Sequence, residues 1–152
     1  MTVSQGLPDL TDRASFEFWH EDVLRFADVD RQNHVNNVAF ATFCEGGRVR
    51  FLDTVVRPLI GWQDPFALVK ITIEYRHEMH YPGSVAIGTR LMRLGRSSVT
   101  FGQGLFNDGR CVAVADAVVV LMDATTRKSK AFPDPAAATF RRLADVVAVP
   151  VE

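Results

Sequence analysis

Residues 36–56 read NNVAFATFCEGGRVRFLDTVV, and this stretch decides the fold. Wound at about 3.6 residues per turn, Val38, Phe40, Ala41, Phe43, Cys44, Val49, Phe51, Leu52 and Val55 leave almost no wholly polar side. A helix that is apolar nearly all round is expected to be enclosed by the rest of its domain. Gly46 and Gly47 interrupt it, each at a cost of about 1 kcal/mol relative to Ala. The expected compensation is the close approach of a strand, or of a partner chain, to the helix backbone.

Upstream, Phe16–Ala27 is rich in aromatic and branched residues and reads as a strand, while residues 1–14 read as a loose N-terminal arm. Downstream, Pro58, Gly61 and Pro65 mark a loop. Strands are then expected over Phe66–His80, Val85–Leu94, Val99–Phe106 and Cys111–Met122. Turns fall at Tyr81-Pro82-Gly83-Ser84, at Gly95–Ser98 and, as a strong hairpin signal, at Asn107-Asp108-Gly109. Neighbours joined so closely imply an antiparallel meander. Asp134-Pro135 then opens a short amphipathic helix over residues 133–148, with Phe140, Leu143, Ala144 and Val147 at helical spacing. The expectation is a single domain over residues 1–152. It is of α+β class, with one long central helix wrapped by a curved antiparallel sheet of about five strands. The hot-dog fold has this shape. A cystatin-like cone is the competing arrangement, although such cones usually open with more helix.

At 152 residues the chain can bury roughly 70% of its unfolded surface. With 47% hydrophobic and 23% charged residues and a net charge of -1, it offers no basic field for a phosphate backbone, so no nucleic-acid partner is expected. The run Ala117–Met122 is far too short to span a bilayer, and residues 1–13 lack the apolar core of a signal peptide. A cytoplasmic protein without a membrane partner follows as the expectation. Cys44 and Cys111 are widely separated and read as reduced, structural thiols.

Chemistry concentrates in Arg25–Asn37, RFADVDRQNHVNN, between the first strand and the start of the long helix. Helix N-termini expose unpaired N–H groups that suit a developing oxyanion. A carboxylate just upstream could attack an acyl carbonyl or deprotonate a water that does. On residues alone, Asp28, Asp30, Asn36 and Asn37 could equally serve as loop anchors and helix caps.

The run Asp28-x-Asp30-x-x-x-His34-Val35-Asn36-Asn37, followed by Phe40, Phe43, Glu45 and Arg48, resembles the 4-hydroxybenzoyl-CoA thioesterase family of hot-dog enzymes. The likeness is specific over residues 24–52 and weaker through Tyr75, Pro82-Gly83, the Gly95–Ser98 turn and the C-terminal helix. It implies an acyl-CoA thioesterase in which Asp30 is the nucleophile or general base and the Asn37 amide donates to the thioester oxygen. His34 matches a motif histidine that shapes the site in the related acyl-ACP enzymes. Those enzymes carry an asparagine where this chain has Gln32, so their fuller catalytic set does not carry over.

The resemblance further implies an acyl-CoA substrate and no cofactor, and the open edge and half-built site of one such sheet lead to the expectation of a homodimer or homotetramer. A dehydratase acting on a thioester-bound chain, or a non-catalytic acyl-CoA-binding protein, remains as the alternative. Arg96, Ser97 and Ser98, with Arg93 nearby, could meet coenzyme A phosphates at a strand turn or simply form a solvated turn. Glu45 and Arg48 stand one turn apart and read as a structural pair. No metal site is expected, because His77 and His80, three apart in a strand, would face opposite sides.

Overall fold

A computed structural model describes the backbone of residues 6–146 and the side chains as far as Leu143. The first five residues of the N-terminal arm and the last two of the expected C-terminal helix, with its Val147, lie outside the described residues. Strand β1 (Phe18–Val23) leads through a short 3-10 turn at Phe26–Asp28 to helix α1 (Asn37–Phe51). A π-helical turn at Leu52–Val56 carries α1 into helix α2 (Arg57–Ile60). Strands β2 (Phe66–Tyr75), β3 (Ser84–Leu94), β4 (Ser98–Asn107) and β5 (Arg110–Leu121) follow, then helix α3 (Asp134–Val146). The five strands form one antiparallel sheet in the order β1-β3-β4-β5-β2. This is the expected hot-dog architecture.

The meander holds for β3, β4 and β5, where Asp108 and Gly109 take positive φ of 51° and 74° in the hairpin turn. It fails for β2, which crosses to the far edge and pairs with β5, from Phe66 opposite Leu121 to Tyr75 opposite Ala113. The edge of β3 is already taken by β1, with Phe18 opposite Thr89 and Val23 opposite Ser84. Residues 76–83, which include a cis peptide at Tyr81-Pro82, make the crossing. The expected strand to His80 accordingly ends at Tyr75.

Asn36 caps α1, its Oδ1 accepting from the Val38 N–H at 2.9 Å. Ala39, Phe40, Phe43, Cys44, Gly47, Arg48 and Phe51 are buried. The helix is not enclosed all round, as its composition suggested. Val38, Thr42, Glu45 and Val49 form an outward stripe, with Val38 71% exposed. Pro58 also lies within the helical stretch rather than in a loop. Proline lacks an N–H and crowds the carbonyl four residues back in a regular α-helix. The wide preceding turn, in which the Arg57 N–H bonds Leu52 O, accommodates it.

Two apolar clusters fill the space between helix and sheet. One gathers Phe51, Leu52, Val56, Phe101 and Phe140 of α3; the other gathers Phe40, Phe43, Met79, Ile87 and Leu105. Gln103 lies at the waist of the core, its Nε2 donating to Cys44 O at 2.9 Å and to Thr89 Oγ1 at 3.0 Å. Arg48 turns inward to donate to Gln103 Oε1 at 3.3 Å, so its partner is this amide rather than Glu45. On the opposite face of the sheet, Phe16 and Leu10 fill the space left by Gly88, Gly102 and Gly104. Arg90 Nη1 donates to Ser15 O at 2.8 Å. From Asp9 onward the N-terminal segment is therefore docked rather than loose.

The two helix glycines differ. A Cβ on Gly47 would stand 2.6 Å from Ile87 Cγ2 and 2.8 Å from Gln103 Nε2, whereas one on Gly46 would meet only His20 at 3.6 Å. The close approach exists at Gly47 alone and is made by sheet side chains. Gly47→Leu is expected to destabilise by about 1–3 kcal/mol through overpacking. Gly46→Ala should gain up to about 1 kcal/mol in helix propensity. Thermal melts of the two variants check this, and equal melting temperatures would contradict it.

Candidate functional site

The chain between β1 and α1 folds back on itself through a bridge between Val29 and Val35. Asp30 N donates to His34 O at 2.9 Å, Asn33 N to Asp30 O at 3.0 Å, and Asn33 takes a positive φ of 63°. The Asp30 side chain stabilises this tight loop from within. Its Oδ1 accepts from the Gln32 N–H at 2.9 Å and the His34 N–H at 3.4 Å. No donor among the described residues reaches Oδ2. One carboxylate oxygen thus anchors the side chain while the other stays available to a substrate or a water.

The loop is stitched to the segment after β2 by Val35 N donating to Met79 O at 2.9 Å, and Met79 itself is fully buried. Tyr75, the last residue of β2, donates its hydroxyl to Asn37 O at 3.1 Å. Between loop, helix start and β2 lies a cavity of about 250 Å³ lined by Asp30, Gln32, His34, Asn37, Phe40 and Tyr75, among others. Asp30, His34 and Asn37, the three residues singled out in the sequence, therefore face one space. Asn37 is the first helical residue of α1, and its N–H has no partner among the described residues. The cavity places a half-buried carboxylate opposite a helix N-terminus, a pairing suited to generating a nucleophile on one side and holding an oxyanion on the other.

Asp28 has a different role. It is 5% exposed and bound by Arg25, whose backbone N–H donates to Oδ2 at 2.9 Å and whose Nη2 donates to Oδ1 at 2.7 Å. Its carbonyl accepts from the Asn36 N–H at 2.7 Å, which places the helix cap. Cys44 is sealed in the core, and burial pushes its thiol up to about 11, which removes it as a nucleophile.

Arg96, Ser97 and Ser98 lie at the β3–β4 turn, at the opposite end of the sheet from the cavity. The 10 residues of β2 separate the two ends, about 30 Å at ~3.3 Å per residue. Within one chain they do not join the site.

The sequence reading missed Glu78 and the hydroxyl donor role of Tyr75, and it set His80 aside together with His77 as strand residues facing opposite sides. Glu78 Oε2 stands 3.3 Å from His34 Nε2 and 3.5 Å from His80 Nε2. The premise that His77 and His80 share a strand fails because the strand stops at Tyr75. The Tyr75–Asn37 spacing carried no local signal, since the two residues meet only through tertiary structure.

The sequence profile of the Thioesterase-like superfamily matches residues 24–140. Among solved structures, a thioesterase-superfamily protein from Jannaschia sp. CCS1 aligns with a TM-score of 0.79 at 23% identity, covering 90% of this chain and 87% of that one. A predicted thioesterase from Bacillus stearothermophilus gives 0.74 at 22%, covering 83% and 95%. A thioesterase from Thermus thermophilus, complexed with coenzyme A and Zn, gives 0.75 at 24%, covering 86% and 97%. At these identities the structures establish a shared fold. No curated protein matches the chain.

The Arg25 guanidinium bonded to Asp28 is the main cause holding that carboxyl below its ordinary value of 3.8, against the opposing effect of burial. A lowered folded-state pKa favours the ionised native state, so this stability is complete above that value and is lost as pH falls below it. Asp28→Asn is expected to lower stability at neutral pH and to flatten the loss of stability on acidification below about pH 4. Urea melts of both proteins across pH 2.5–7 would read this, and parallel pH curves would contradict it.

Proposed function

The chain belongs to the thioesterase-like superfamily, and on that premise we propose that it hydrolyses acyl-CoA thioesters to a free acid and coenzyme A, with Asp30 as the catalytic carboxylate. The carrying observation is the convergence of Asp30 and the Asn37 N–H on one cavity. A thioester carbonyl there would direct its oxygen at the Asn37 amide. The open oxygen of Asp30 takes a proton from water while the resulting hydroxide adds to the carbonyl carbon. The oxyanion forms against the helix N-terminus, where fixed N–H dipoles need no rearrangement to receive it. Collapse of the tetrahedral species breaks the C–S bond, and coenzyme A leaves as the thiolate. In the covalent variant the carboxylate adds directly and water then opens the mixed anhydride. His34 borders the cavity and shapes it. The 4-hydroxybenzoyl-CoA branch of the family is the finer assignment, supported by the Asp30–Asn37 motif. The coenzyme A held by the Thermus thermophilus neighbour supports this carrier for the acyl group.

We further propose a homo-oligomer built on β2. This edge strand leaves Leu68, Val69 and Tyr75 exposed at 47%, 59% and 47%, an apolar edge that soluble proteins rarely leave unpaired. Antiparallel pairing of β2 with its copy would bring the partner's β3–β4 turn toward the Asp30 end. Arg96, Ser97 and Ser98 would then serve the coenzyme A moiety across the interface rather than within one chain. Light scattering at micromolar concentration should give at least twice the monomer mass. A monomer that still turned over substrate would overturn the proposal.

Thiol release from a panel of acyl-CoAs tests hydrolysis directly. Binding without release would identify an acyl-CoA-binding protein instead. Asp30→Asn keeps the shape of the side chain but is a poor base and nucleophile. It should lose at least about two orders of magnitude in kcat, since a positioned base contributes typically about 10²–10⁴-fold. Asp28→Asn, which lies away from the cavity, should keep far more activity per folded molecule. Equal losses in the two variants would refute the assignment of Asp30.

A further inference from the structure

We propose that His34, Glu78 and His80 form a binding site for a divalent transition-metal ion of the zinc class, one that ties the Asp30 loop to the segment following β2. The site stands on its own geometry and holds whether or not the cavity beside it hydrolyses thioesters.

The three residues come from two segments that the backbone has already joined. His34 lies in the 29–35 loop, and Glu78 and His80 flank Met79, whose carbonyl accepts from the Val35 N–H. Because Met79 is fully buried, the residues on either side of it are turned outward together, toward His34. Their ligand atoms all lie within 4.8 Å of one another. The two shorter edges, from Glu78 Oε2 to the imidazole Nε2 atoms of His34 and His80, are 3.3 and 3.5 Å. A tetrahedral zinc ion with bonds of about 2.0–2.1 Å spaces its ligand atoms about 3.3–3.4 Å apart. Two edges already have this length, and the third lies within 4.8 Å.

The hydrogen bonding of His80 also suits a ligand role. His80 Nδ1 stands 3.3 Å from Asn33 O, and a carbonyl can only accept, so Nδ1 carries the hydrogen. The other ring nitrogen, Nε2, is directed at Oε2 of the Glu78 carboxylate, where an ion held between them would be shared by both. His34 addresses that same oxygen, and the two rings meet edge to face at 5.3 Å. One divalent ion would satisfy both imidazoles and the carboxylate together. The Asn33 carbonyl acts as the outer partner that fixes the ring and tautomer of a ligating histidine. Two imidazoles and one carboxylate suit zinc better than magnesium or calcium, which prefer all-oxygen sets. With three protein ligands, the fourth position is left for water.

The test uses the full-length chain without an affinity tag, stripped by chelator and titrated with Zn²⁺ against a chromogenic competitor. Co²⁺ is used in parallel for its visible absorption. The expected result is one ion per chain at micromolar affinity or tighter, with the intense Co²⁺ bands of a four-coordinate site. His80→Ala and Glu78→Gln should each weaken Zn²⁺ binding at least about tenfold, as loss of even an outer partner typically does. His77→Ala removes a neighbouring imidazole outside the cluster and should bind as wild type does. Circular dichroism confirms that each variant is folded, and Glu78→Gln serves as the second variant if His80→Ala is not. Absence of saturable 1:1 binding, unchanged affinity in the folded His80→Ala and Glu78→Gln variants, or equal loss in His77→Ala would overturn the proposal.

Discussion

The arrangement depends on one buried amide. Gln103 is wholly inaccessible and makes three hydrogen bonds, two across the helix–sheet interface to Cys44 O and Arg48 Nη1 and one within the sheet to Thr89 Oγ1. A buried polar group left without a partner costs about 1–3 kcal/mol. Sliding α1 by one turn along the sheet would break both interface bonds and orphan the Gln103 acceptor and the N–H that partners the Cys44 carbonyl. Gly47 allows this contact, since any larger residue would hold the helix away from Ile87 and Gln103. Apolar packing alone tolerates slippage, whereas a satisfied amide does not. The N-terminus of α1, and with it the Asn37 N–H, is therefore referenced to the middle of the sheet.

Arg48 shows the cost of that arrangement. Its guanidinium is buried, its pKa is pushed down by desolvation, and Gln103 rather than a carboxylate receives it. A charge paired with a neutral amide adds little net stability, so its value lies in specifying position. Beside it, Cys44 gives its carbonyl to Gln103 and keeps its thiol in the apolar cluster. The helix waist is thus polar on the backbone side and apolar around it.

The two acids of the motif show what could be read from the chain. Asp28 and Asp30 were both legible as candidates, and the helix start at Asn36–Asn37 was legible from its cap. Their division of labour was not. In a continued strand they would share a face, but residues 26–28 form a 3-10 turn, which buries Asp28 under Arg25 and leaves Asp30 at the cavity. The Asn107-Asp108-Gly109 hairpin and the close approach at Gly47 were legible because each answers to a local backbone demand. The far-edge position of β2 and the meeting of His34 with Glu78 were not. Both depend on where a hydrogen-bond ladder stops, and residues 76–80 carry no periodicity that reveals it. Pro58 misled for the same reason: a π turn depends on the helix already being anchored by its packing.

The sheet order has a consequence for how the molecule assembles. Strands β3, β4 and β5 are joined by short turns and pair with near neighbours, so little loop entropy opposes their association. The edges are different, because β1 must find β3 across the whole of α1 and β2. Contacts of long sequence separation are slow to form. The meander is thus the natural nucleus, with the edge strands joining it later. The cavity walls hang from those edges, through the loop after β1 and the segment after β2. The cavity in this architecture is completed at the end of folding, when the last strands are in place.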